Sequence, residues 1–144
     1  HDRFWLFPTR FHQQSEGVIE SARERFEKLQ WSAEDILRIE FGAEVVEARQ
    51  LTSLDQAKRL AGQHIWREEV IADRFDWGRE PGIYAMAVRV EHLSKPMELP
   101  MLESYGGCKS WVELEPLMDF SLTEPVLEDS DFAAKLSEYQ EALA

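Results

Sequence analysis

The sequence predicts an α+β fold: a single domain with a mixed sheet, a central strand near 82–93, several amphipathic helices packed on it, and an acidic C-terminal helix. Three observations lead there. "GIYAMAVRVEHL" (82–93) contains a run, 83–88, that is apolar on both faces, as a centrally placed strand requires. Apolar residues recur at helical spacing in several segments that begin with capping residues. The bulk composition, 144 residues with 44% hydrophobic and 11% aromatic side chains, is globular and long enough to bury a core.

The elements follow in order. "RFWLF" (3–7) reads as a short strand stopped by Pro8. From Ser15 as N-cap, Val18, Ala22, Phe26 and Leu29 make one helical stripe to about Gln30. "SAED" (32–35) has the form of another helix start, with Gly42 as its end. "EVVEARQL" (44–51) reads as a strand. "SLDQ" (53–56) is a capping box opening a helix through Leu54, Ala57, Leu60 and Ala61, closed by Gly62. "HIWREEVIADRFDW" (64–77) fits neither period cleanly. After 82–93, Pro96 and Pro100 are expected to break regular pairing, and "SWVELE" (110–115) returns to strand-like alternation. Asp129 or Ser130 caps a last helix bearing Phe132, Leu136, Tyr139 and Leu143. The expected division is a core domain at 1–115 and an acidic tail with its helix at 116–144.

Net charge is −12, and from Glu113 onward nine acids face Lys135 alone, so the tail carries −8 of it. That acidity disfavours nonspecific binding to nucleic acid, whose affinity comes from basic side chains on phosphates, but it leaves room for a local basic cleft. One cysteine excludes an internal disulfide and any cysteine-cluster metal site. The histidines lack the local spacing of a metal pair, and no metal is assigned. No apolar run reaches the roughly 20 residues needed to cross a bilayer, and a cytoplasmic location is the default expectation. The chain opens on His1 with core-like residues directly behind it, from which a missing natural start is expected.

"ESYGGCKSW" (103–111) gathers two glycines, the one cysteine, a lysine and two aromatics. It is not a phosphate loop, because Cys108 stands where the glycine before the lysine belongs. Cys108 would be a nucleophile if a base or backbone amides lowered its pKa, and His12 is a candidate base; the plain alternative is a small buried side chain beside a turn. A Ser/His/Asp hydrolase lacks its Gly-x-Ser-x-Gly elbow.

Three segments, "FPTRFHQQ", "HIWREE…DRFDWG" and "YGGCKSW", each join an aromatic ring to a cation or a hydrogen-bonding side chain. Such sets stack planar groups and meet anions, which suits a nucleotide or a nucleic-acid end. Ordinary packing is the competing explanation: Trp66, Trp77 and Trp111 in the core, with Arg74 paired to Asp73 or Asp76. The expectation is that the three segments converge on one cleft.

At these segments the chain resembles a bacterial family called domain of unknown function 1802. The motifs are "FWLFPTRFHQQ", "HIW", "RFDWG", "VRVEHLSKPMELP" and "YGGCKSWVEL", in that order over residues 3–115. The resemblance implies a strand-rich segment of Leu-Arg-Lys-Gly-Gly character before this point, and it places the acidic tail outside the shared region. It directs attention to Thr9, His12, Gln13, His64, Trp66, Arg74, Trp77, Tyr105, Gly106, Gly107, Cys108, Lys109 and Trp111.

The leading expectation is a cytoplasmic ligand-binding domain for a nucleotide or nucleic-acid end. Arg74 and Lys109 would hold the anion, Trp66 or Tyr105 would stack, His12 would hydrogen-bond, and Thr9, Gln13, His64, Gly106 and Gly107 would complete the cleft. The first alternative is a hydrolase or transferase using Cys108 or His12. The second is an interaction module whose acidic C-terminal helix docks on a basic protein partner or on its own cleft. No cofactor is assigned.

Overall fold

The structure, a computed structural model, describes residues 2–9, 15–29, 32–107, 109–115 and 119–144. It is α+β. Four strands form one antiparallel sheet in the order β1-β2-β3-β4: β1 (Arg3–Trp5), β2 (Ile36–Leu51), β3 (Ile83–Pro100) and β4 (Thr123–Pro125). The helices are α1 (Glu20–Glu27), α2 (Leu54–Lys58), α3 (Glu68–Phe75) and α4 (Asp129–Ala142). No helix among the described residues is long and apolar enough to cross a membrane.

The helix expected from Ser32 to Gly42 is instead the first half of β2. Leu37 and Ile39 are buried while Arg38 is exposed, a period of two rich in branched side chains, and that pattern outweighs the cap-like "SAED". Ser32 caps no helix; its Oγ donates to the Ile36 carbonyl at 2.8 Å. Gly42 lies inside the strand opposite Trp5, and a Cβ there would stand 2.5 Å from the Phe120 ring. β3 also outruns its expected end, continuing through Pro96 to Pro100. A proline costs a strand nothing where its nitrogen faces away from the neighbour. The segment 110–115 is irregular, although Val112 and Leu114 still pack on the core, so its alternation reports burial and not pairing.

Contacts cluster into two compact units whose boundaries fall within the two long strands. One comprises His1–Thr9, Gln30–Glu44 and Arg89–Val126; the other comprises Arg10–Leu29, Val45–Val88 and Leu127–Ala144. The first unit is built on Leu37, Ile39, Leu93, Leu99 and Tyr105. In it β1 pairs with residues 42–44 and β4 with 91–93.

The second unit is built on Leu51, Ala57, Leu60, Tyr139 and Leu143. There α4 is a core element. Its Tyr139 hydroxyl donates to the Ala85 carbonyl at 3.1 Å, and Arg49 and Arg59 donate to the carbonyls of Leu143 and Ala144 at its C-terminal end. Cations there complement the negative end of the helix dipole. α2 opens at the expected cap, with both bonds one residue off the reciprocal box: Ser53 Oγ accepts from the Asp55 amide, and Gln56 Oε1 accepts from that of Thr52.

Candidate functional site

In the second unit the chain around residue 18 meets the chain around residue 66. Val18 and Trp66 form an isolated antiparallel bridge; the Ile19 amide donates to Ile65 at 2.8 Å, and the Arg67 amide donates to Gly17 at 2.9 Å. The stripe expected as one helix from Ser15 is therefore a short 3-10 turn (Ser15–Gly17), the bridge, and then α1, with Val18 wholly buried. The bridge sets the segment that follows "FPTRFHQQ" beside "HIW". Two of the three aromatic-polar segments thus lead into one unit.

At this bridge His64 Nδ1 accepts the Trp66 amide at 3.2 Å, so the neutral ring carries its proton on Nε2, facing away from that bond. Trp66 is 46% exposed. Beside it lies an open hollow of about 500 Å³ lined by Val18, Ile19, Glu20, Arg23, Arg67, Glu68 and Glu69. Arg67 donates to the Glu16 carbonyl and pairs with Glu69 at 3.2 Å; the backbone amide of Glu69 and then Arg67 hold that carboxyl below its ordinary pKa, and Arg23 donates to the Ser15 carbonyl. With three glutamates among its walls, the hollow has no surplus of positive charge for an anion.

The C-terminal end of α3 differs. Arg74 lies in the last turn, Asp76 caps the helix, and Trp77 follows directly. The Arg74 guanidinium carbon stands 4.2 Å from the centre of the Trp77 ring, well within cation–π range. Trp77 is 72% exposed. Among the described residues no carboxylate pairs with Arg74, so the expected alternative of an Asp73 or Asp76 ion pair is not what the guanidinium makes.

"YGGCKSW" belongs to the first unit, as does the exposed Thr9. Tyr105 is 5% exposed, inside the core cluster, with the edge of its ring toward Phe7. Its hydroxyl accepts the Glu115 amide at 3.2 Å and faces the Glu115 carbonyl at 3.5 Å. The ring so placed packs in the core, with its faces covered and not offered to solvent. Gly106 is extended, whereas Gly107 has φ +92°, a left-handed turn that glycine adopts without strain. Lys109 closes that turn, its Nζ donating to the Ser104 carbonyl at 2.7 Å. The ammonium remains exposed to solvent. Trp111 is 63% exposed, edge-on to Phe4 at 5.3 Å.

His12, Gln13 and Cys108 lie outside the described residues. No group of three His, Cys, Asp or Glu side chains suited to a metal ion occurs among the described ones. The expected cleft residues divide, with His64, Trp66 and Arg74 in one unit and Thr9, Tyr105, Gly106, Gly107 and Lys109 in the other. Sequence reasoning placed Trp77 among residues of interest but gave it no role. Its nearness in sequence to Arg74 carried the only signal, since Trp77 lies just past the helix cap, outside the helical register. The hollow at Arg23 and Arg67 was not foreseen, because the bridge that makes it joins positions 48 residues apart.

An α+β protein with a solvent-facing cation–aromatic pair is what these observations define. The model of the domain of unknown function (DUF1802) family matches residues 1–138, and the chain belongs to that family. The match extends into α4, so most of the helix expected outside the shared region lies within it. No curated protein and no solved structure matches the chain.

Proposed function

We propose that the protein is a ligand-binding domain for a nucleotide or a nucleic-acid end, in a bacterial cytoplasmic setting, and that the Arg74–Trp77 pair is its recognition element. The observation that carries this is the 72% exposure of an indole held against an arginine free of carboxylates among the described residues. An exposed tryptophan costs solvation unless something covers it, and a guanidinium beside it supplies the charge that a phosphate needs. Trp66 and the Nε2 proton of His64 add a second half-exposed ring and a donor within the same unit. The enzyme alternative rests on Cys108 and His12. The interaction alternative has α4 offering its acidic outer face to a basic partner, since its apolar side already packs on its own unit.

Equilibrium titration with a panel of nucleotides and short oligonucleotides tests the proposal. Arg74→Gln should weaken binding and reduce the slope of log affinity against log salt by about one phosphate's share. Unchanged affinity and slope would contradict it.

A further inference from the structure

We infer that this site takes a single unstacked base with its phosphate, a mononucleotide or one terminal nucleotide, and not a run of single strand. The inference rests on the nucleotide reading above and deepens it. The Arg74 guanidinium already lies 4.2 Å from the Trp77 ring centre, so one face of the indole is occupied and the other is left for one base. A strand-binding groove needs a succession of such faces and a trail of cations along the backbone.

The surroundings supply no such trail of cations. Around the pair, residues 73–80 hold Asp73, Asp76 and Glu80 against Arg74 and Arg79. The whole second unit holds sixteen acids against eleven bases, a net of −5. Several of those bases are engaged, Arg49 with Glu47, Lys58 with Glu68 and Arg67 with Glu69. The first phosphate meets Arg74; each further phosphate meets a field of its own sign. Chain length therefore adds no affinity per base.

Adenosine monophosphate, the adenine dinucleotide and a twelve-residue single strand of adenine test this, titrated across about 50–200 mM salt. The expected result is affinity per base constant within about threefold, with a salt slope that stays near one phosphate for all three probes. Trp77→Ala should weaken all three alike by about tenfold, the loss of one stacked base, and Trp77→Phe should restore most of it. A twelve-residue strand that binds more than about tenfold tighter per base, with a slope rising with length, would overturn the inference and leave the nucleotide reading intact. Binding of none of the three probes would overturn both. Undiminished binding by Trp77→Ala would remove the site itself.

Discussion

The two units use the same kinds of side chain to opposite ends. In the first, aromatic rings are turned on one another. Trp5 stacks on Phe120 at 4.1 Å, Phe7 meets Tyr105 edge-on, and the Tyr105 hydroxyl is tied to the Glu115 backbone. In the second, Trp66 is 46% and Trp77 72% exposed, and Arg74 spends its charge on an indole; the first unit's one comparably exposed indole among the described residues, Trp111, lies edge-on to Phe4. Residue type alone does not separate a structural aromatic from an available one. Burial and the fate of the polar atom do.

Truncating one ring from each unit should break the comparison open most widely. Tyr105→Ala should lower unfolding free energy by about 3–5 kcal/mol, since it empties a buried site and orphans the Glu115 amide. Trp77→Ala, a larger truncation, should change it by no more than about 0.5 kcal/mol. Denaturant unfolding measures both, and equal losses would dissolve the distinction.

Next in size is Gly42→Ala. Its Cβ would fall 2.5 Å from Phe120, forcing that ring off Trp5 at a cost of about 1–3 kcal/mol, read as a lowered denaturation midpoint. In the second unit, burial holds the Tyr139 hydroxyl above its ordinary pKa, with Glu47 adding to the effect. A raised folded-state value means that its contribution is fully present below the unfolded pKa of about 10 and is lost as pH rises through the folded value. Wild-type stability should therefore fall in that alkaline range more steeply than that of Tyr139→Phe, which has no proton to lose. Smallest is Lys109→Ala. Its ammonium already donates to Ser104, so the salt slope for nucleotide should change less than with Arg74→Gln. A larger change would show that the glycine turn shares the ligand.

Much of the fold was legible because it is written in local periods. The doubly apolar 83–88, the capping box at Ser53 and the Tyr139 stripe each state their element without help from distant residues. What misled was a cap-like tetrapeptide before β2, where a serine and an acid imitate a helix start while Leu37 and Ile39 alternate. The tail was harder to read. Its acidity and its apolar stripe point to opposite surroundings, and the stripe is covered by Leu51, Ala57 and Leu60 from far upstream. The candidate site was legible as a set of segments and not as an arrangement. The sequence shows that Arg74 and Trp77 are three residues apart, but not that the acids beside Arg74 leave it to the indole. It shows Tyr105 near glycines, but not that its ring faces inward.

The most direct test is to follow the indole N–H resonances of all five tryptophans while adenosine monophosphate is added. The structure predicts a saturable shift that is largest at Trp77, smaller at Trp66, and absent at Trp5, whose ring is stacked on Phe120. A titration that leaves Trp77 unmoved, or moves all five equally, would contradict the assignment of this pair as the recognition element.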